Sequence, residues 1–361
     1  MTASLSARHL PPTPFLAVDA AIVERNLTGM ADSAAARGLS LRPHAKTHKV
    51  VELAQRQIGL GAVGLTVATL GEAEVFAVSG VKDIFIAYPL WADEGKGARL
   101  RVLTENITLT VGIDTEEGAR QLAATTAGAP VAVLVEVDSG HHRSGIAPAD
   151  AGVLARAAAD AGLDVRGVFT FPGHGYGPGN RGSAAEDEAQ ALAVAVKSLA
   201  EAGLAAEVVS GGSTPTAAAA DASVLTEVRP GVYLFNDAQQ LEMGTCGWGD
   251  IALWAVATAV SRSGQHVILD SGSKTLGADR PAWATGGGRL LDHPDARITA
   301  LSEHHATVEF PAGAALPGLG ELVRVVPNHV CAAVNLADEL VVMVDGAVAD
   351  TWRVAARGRN S

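Results

Sequence analysis

The run "VAVLVEV", residues 131–137, is apolar at every position but Glu136, and the stretch before it, "TEEGARQLAATTAG" (115–128), has helical periodicity. A strand with apolar side chains on both sides of its pleat is buried on both faces, as in a parallel sheet covered by helices. The same alternation repeats outward from this point. Apolar runs recur as "LSLRPHA" (39–45), "GLTVA" (64–68), "DIFIAY" (83–88), "ITLTVGI" (107–113), "DVRGVFTF" (164–171), "AEVVS" (206–210) and "GVYLF" (231–235), most of them separated by amphipathic stretches such as "HKVVELAQRQIGLG" (48–61). Eight strand–helix units over roughly 200 residues fit a closed (β/α)8 barrel, with an open doubly wound sheet as the alternative, because spacing alone does not close a barrel. After about residue 250 the runs, among them "HVILDSG" (266–272), "ATVEFPA" (306–312) and "LVVMVDGAVADTWRVAARG" (340–358), are separated by Gly, Pro and Asp turns with no long helical stretch between them. The expected organisation is an α/β TIM barrel over residues 20–250 and an all-β domain over residues 251–361. Residues 1–19 are expected to pair with the β domain, since "TPFLAVD" (13–19) precedes the first barrel strand.

The chain has 361 residues, 48% of them hydrophobic and 18% charged, with a formal net charge of −12. That composition supports a large core and argues against a duplex-binding surface. Two cysteines, Cys246 and Cys331, are too few for a disulfide framework. No apolar run reaches the ~20 residues needed to span a bilayer. The N-terminal stretch lacks an apolar core of signal-peptide length. A cytoplasmic enzyme, binding neither nucleic acid nor membrane, is the expectation.

Against this sparse charge, "LRPHAKTHKV" (41–50) crowds Arg42, His44, Lys46, His48 and Lys49 together at the end of the first barrel strand. Barrel chemistry sits at the C-terminal ends of the strands. Neighbouring positive charge destabilises an ammonium ion, so Lys46 is a candidate for Schiff-base chemistry, with His44 beside it as a candidate cofactor contact. The plainer reading is a basic patch on a surface loop. The seventh strand ends in "VVSGGSTPT" (208–216), where Gly211, Gly212, Ser213 and Thr214 form a candidate phosphate cup, with Tyr233 further on. A lysine on the first strand and a phosphate cup on the seventh together describe pyridoxal phosphate, held by an imine at one end and by its phosphate at the other.

In "LVEVDSGHHRSGI" (134–146), Arg143 facing the coenzyme ring would discourage protonation of its nitrogen, while Glu136 reads best as an ion-pair partner at the barrel mouth. "TFPGHGYGPG" (170–179) offers Tyr176 for ring contact and His174 for proton transfer, although an ordinary polar loop would look similar. In "VVPNHVCAAVNL" (325–336), His329 and Cys331 are two apart, which on an extended chain puts both on one face. Imidazole and thiolate favour zinc over magnesium or calcium, though a buried cysteine beside a satisfied histidine is the commoner fate of such a pair. A metal near a lysine-bound coenzyme would polarise a substrate hydroxyl.

The segments "RPHAKTHK", "LVEVDSGHHRSG", "SGGSTPT" and "PNHVCAAVNLADELVVMVDGAVADTWRVAARGR" occur in an order that resembles the D-threonine aldolase / D-serine dehydratase family, whose fold is that of alanine racemase. The resemblance covers nearly the whole chain. It implies a homodimer in which Lys46 carries the coenzyme, Gly211, Gly212, Ser213 and Tyr233 hold its phosphate, Arg143 faces it, and His329 and Cys331 bind a divalent metal, zinc or manganese. The implied activity is that of a lyase on D-3-hydroxy amino acids, by retro-aldol cleavage of the D-threonine type to glycine and an aldehyde. The alternatives are D-serine or D-3-hydroxyaspartate dehydration by β-elimination, and amino-acid racemisation. Cysteine at 331, where aldolases of the family often have aspartate, leans toward elimination, while the closeness of the C-terminal block leans toward aldolases. A racemase would not require the metal pair. A non-catalytic coenzyme carrier or a sugar-phosphate aldolase would lack the β domain.

Overall fold

The computed structural model describes residues 10–361. Strand β1 (Phe15–Asp19) is followed by the parallel strands β2 (Ser40–Leu41), β3 (Leu65–Val67), β4 (Asp83–Pro89), β5 (Thr108–Ile113), β6 (Val131–Glu136), β7 (Asp164–Phe169), β8 (Val208–Gly211) and β9 (Glu227–Val228). The eight parallel strands pair in the order β2-β9-β8-β7-β6-β5-β4-β3. The two ends of that order are linked by a bridge between His44 and Thr66 and by hydrogen bonds from Val63 N–H to Leu41 C=O and from Thr66 N–H to Pro43 C=O. The sheet therefore curls round into a TIM-like barrel, and the open-sheet alternative falls away. Side-chain caps mark where several of the outer helices begin: Thr69, Asp93 and Thr115 each accept from the N–H three residues on.

One predicted strand is corrected. Residues 231–235 do not form the eighth strand; that strand is the short β9, and Val232–Leu234 turn in a buried 3-10 helix. Pro230 has no N–H to give to a ladder, so pairing with β8 ends with the bond from Arg229 N–H to Gly211 C=O.

The barrel belongs to a unit made of Gly29–Lys46, Val51–Gly231 and Arg359–Ser361. Phe85, Leu134 and Phe169 pack together in its buried core, the two phenyl rings edge to face at 4.9 Å. The guanidinium of buried Arg229 lies over both rings and donates to Ser210 Oγ and Thr170 C=O, each at 2.5 Å. It thus ties together the C-terminal ends of β7 and β8.

The other unit comprises the chain up to Thr28, Thr47–Val50 and Val232–Gly358. It is mostly sheet: β1 with β10 (Leu253–Ser263), β11 (His266–Leu269), β12 (Arg289–Leu290), β13 (Arg297–Leu301), β14 (Ala306–Glu309), β15 (Leu322–Val326), β16 (Glu339–Val344) and β17 (Ala347–Arg353). β1 runs antiparallel to β10 and parallel to β16. Its register places Ala17 among Trp254, Val256, Val341 and Met343, a buried cluster of this sheet. Of the N-terminal stretch expected to join this sheet, residues 1–9 lie outside the described residues.

Candidate active site

The cations of residues 42–49 disperse once the chain folds. Arg42 reaches the strand starts, donating to Glu227 (2.7 Å) and Asp83 (2.6 Å). Those carboxylates hold its charge at the N-terminal end of the barrel. His48 is buried and accepts from Val50 N–H at 3.0 Å. Lys49, also buried, donates to Asn335 Oδ1 at 2.7 Å. His44 joins the seam that closes the barrel, its N–H bonded to Pro230 C=O.

Lys46 is set against an aromatic ring. It lies in the 3-10 turn Ala45–Thr47 just past β2, with Nζ 5.7 Å from the centre of the Phe171 ring. Around the same ring are the Arg143 guanidinium at 5.3 Å, the His141 imidazole edge-on at 5.6 Å and Tyr176 at 6.0 Å. Phe171, which sequence reasoning passed over, is therefore the hub on which the loops after β2, β6 and β7 converge. Arg143, not Arg42, is the cation that shares this ring with Lys46.

The loops after β6 and β7 pack tightly. A Cβ on Gly173 would come within 2.6 Å of the His141 ring, so only glycine admits that imidazole. Burial, followed by the nearby charges of Arg143 and His174, lowers the proton affinity of His141. His174 Nε2 lies 3.3 Å from Asp187 Oδ2, while its Nδ1 is buried without a hydrogen bond. Asp138 organises the β6 loop by accepting from the N–H groups of Gly140 and His142 and pairing with the His142 ring at 2.6 Å. Glu136, expected as an ion-pair partner, makes none among the described residues. Burial raises its pKa against the opposing hydrogen bond from Ser144 and the charge of Arg143.

At the diglycine loop the backbone is partly committed. Gly212, at φ +75°, donates its N–H to Glu188 Oε1 (2.6 Å), and Ser213 donates its N–H to Thr216 Oγ1 (2.9 Å). Glu188 comes from the helix Arg181–Glu201 and is wholly buried. A Cβ on Gly211 would meet its carboxylate at 2.4 Å. Desolvation pushes its pKa up to about 7, against the Gly212 hydrogen bond and the charge of Arg229. Candidates to contact an anion are the buried Ser213, whose Oγ also lies 2.9 Å from Thr216 Oγ1, the buried Thr214 and, past the neighbouring strand β9, the N–H of buried Gly231. That N–H makes no backbone or side-chain hydrogen bond among the described residues.

Tyr233, His329 and Cys331 belong to the second unit, Tyr233 in the buried turn Val232–Leu234. His329 and Cys331 do come together, but not on an extended chain. His329, at φ −130°, is the last extended residue before the helix Val330–Leu336, and Cys331 lies in that helix's first turn. Cys331 Sγ donates to Thr47 Oγ1 at 3.3 Å, within the same unit. His329 Nδ1 faces the buried Asp237 carboxylate at 3.4 Å. Cys331 is the main cause of a strongly raised proton affinity at His329; burial opposes it and Asp237 adds to it.

The chain matches the family described as "Alanine racemase, N-terminal domain" over residues 18–239 and a "serine dehydratase domain" over residues 252–343. It is 37% identical to a D-threonine aldolase from an Arthrobacter species, covering 96% of this chain and 93% of that one. It is 33% identical to D-threo-3-hydroxyaspartate dehydratase from a Delftia species, covering 94% and 96%. The solved structure of the latter superposes with a TM-score of 0.88 at 32% identity over 96% of this chain and 97% of that one. That dehydratase has also been solved as a Cys-to-Ala variant in a metal-free form and as a His-to-Ala variant two positions away. The D-threonine aldolase of Filomicrobium marinum superposes with a TM-score of 0.86 at 32% identity, covering 96% of both chains.

Proposed function

The chain belongs to the alanine racemase-like family of pyridoxal-phosphate-dependent lyases, and from that premise we propose that it cleaves D-3-hydroxy amino acids of the D-threonine type to glycine and an aldehyde. Pyridoxal phosphate and a divalent metal, zinc or manganese, are the proposed cofactors, and a homodimer the proposed assembly. The observation that carries the reading is the meeting of Lys46 and Arg143 on one ring, Phe171, beyond the C-terminal ends of the barrel strands.

The residues present suit both groups. A buried N–H without a partner is costly unless a ligand satisfies it, and Gly231 has one. With Ser213, Thr214 and the loop Gly211–Gly212, it would hold the phosphate, and Tyr233 would add a contact. Lys46 would carry the covalent link, with His44, Arg143 and Tyr176 contacting the coenzyme. His329 and Cys331 would hold the metal. Among the described residues no group of three or more His, Cys, Asp or Glu side chains could hold one, so water and substrate would complete its shell. Support for the pair comes from the metal-free cysteine variant of the Delftia dehydratase.

When bound, the coenzyme supplies an electron sink for the substrate carbon and the metal a Lewis acid for its hydroxyl. The chain's own groups do the rest. Arg143 and Lys46 are both set against Phe171, at 5.3 and 5.7 Å from the centre of its ring, which would fix their places at the coenzyme. Asp187 holds His174 by Nε2, which leaves Nδ1 to take the proton of the β-hydroxyl as the carbon–carbon bond breaks.

A second reading, β-elimination to a keto acid and ammonia, is favoured by Cys331, given the cysteine that the Delftia dehydratase carries two positions from a histidine. Incubation of purified protein with D-threonine and D-serine, with and without EDTA, separates the outcomes. Glycine and acetaldehyde, lost with EDTA, are expected. Pyruvate or 2-oxobutyrate would instead establish elimination, and chelator-insensitive inversion would establish racemisation.

A further inference from the structure

Asp237 is wholly buried, yet its carboxylate is held from several directions within one unit. Oδ1 accepts from Gln240 N–H at 2.9 Å, capping the short helix Ala238–Glu242. Oδ2 accepts from Val330 N–H at 3.1 Å and faces His329 Nδ1 at 3.4 Å. Capping needs only one oxygen, and a neutral asparagine would serve there as well. The second oxygen has gone instead to the residue pair that begins the metal-ligand turn. His329 Nδ1 is itself buried and makes no hydrogen bond of good geometry, so Asp237 is the acceptor set against it.

We propose that Asp237 is a positioning residue for the metal site: its Oδ2, fixed by Val330 N–H, accepts from His329 Nδ1–H, so that Nε2 carries the lone pair presented to the metal. This rests on the reading of His329 and Cys331 as the metal pair. An imidazole has two nitrogens, and the partner of one decides which tautomer the ring adopts and which way it points. Val330 and His329 are neighbours in the chain, so one oxygen fixes both the backbone at the helix start and the ring just before it. An asparagine in place of Asp237 would keep the cap with its one oxygen. Its amino group would then stand where Oδ2 stands, and a donor there accepts neither from Val330 N–H nor from Nδ1–H.

The test measures zinc affinity by competition with a chromogenic chelator, alongside circular dichroism to monitor folding. His329→Ala and Cys331→Ala are expected to lose zinc binding, and Asp237→Asn to weaken it about 10–100-fold while keeping the fold. Independently of any variant, ¹⁵N-histidine NMR of the zinc-loaded wild type is expected to show His329 protonated at Nδ1 and ligated through Nε2. Zinc on Nδ1, or a proton on Nε2, would overturn the inference even if Asp237→Asn fails to fold. Unchanged zinc affinity in a folded Asp237→Asn, with the His329 and Cys331 variants defective, would overturn the positioning role alone. Unchanged affinity in the His329 and Cys331 variants would overturn the metal pair itself.

Discussion

Glu188→Gln should remove a pH-dependent weakness from the barrel. The carboxyl is wholly buried beneath the diglycine loop, with Oε1 taken by Gly212 N–H and Oε2 without a partner. Burial raises its pKa from 4.5 to about 7. Between those values the folded chain holds a proton that the unfolded chain has lost, so stability falls as pH rises. The full difference corresponds to about 3.4 kcal/mol, of which about 2.5 kcal/mol is lost between roughly pH 5 and 8. The glutamine of the variant keeps an oxygen for Gly212 N–H but has no proton to lose. Denaturant unfolding of both proteins across that range should therefore give curves that diverge, with wild type weakening toward pH 8 relative to the variant by about 2.5 kcal/mol. Parallel curves would refute the reasoning, because they would mean that the carboxyl ionises as freely in the fold as outside it.

Lys46→Ala should fold normally, as a half-buried residue in a 3-10 turn, yet show no visible absorbance band after incubation with pyridoxal phosphate; a surviving band would move the covalent link elsewhere. Phe169→Ala should cost about 3–5 kcal/mol in denaturant unfolding, since it empties the core beneath Arg229 as well as breaking the contact with Phe85. EDTA treatment followed by dialysis should abolish cleavage of D-threonine, and added zinc or manganese should restore it; full activity in the chelated protein would remove the metal from the mechanism.

The barrel was legible because strands buried on both faces and amphipathic helices alternate with little interruption, a pattern with few other solutions. Its last strand was not. Residues 231–235 look like a strand by composition, but Pro230 ends the pairing with β8 and a 3-10 turn follows. Lys46, Arg143 and Tyr176 could be picked out by type and by position after strands. Phe171 could not, because an aromatic residue at a strand end reads as core, and only the packing shows two cations, an imidazole and a phenol gathered around it. Glu188, Asp237 and Gly231 share a different obscurity. Their importance lies in the partner each has or lacks, and partners distant in the chain leave no local pattern. The His-x-Cys spacing did mark a pair, but by the wrong geometry, since a helix start rather than a strand brings the two side chains together.

The central claim is a covalent bond from the coenzyme to the amine at position 46. Borohydride reduction of the coenzyme-loaded protein, followed by proteolysis and peptide mass mapping, reads that bond directly. A pyridoxyl adduct on the peptide at Lys46 is the predicted result; an adduct instead on Lys49, Lys82, Lys96, Lys197 or Lys274, or on no lysine, would contradict it.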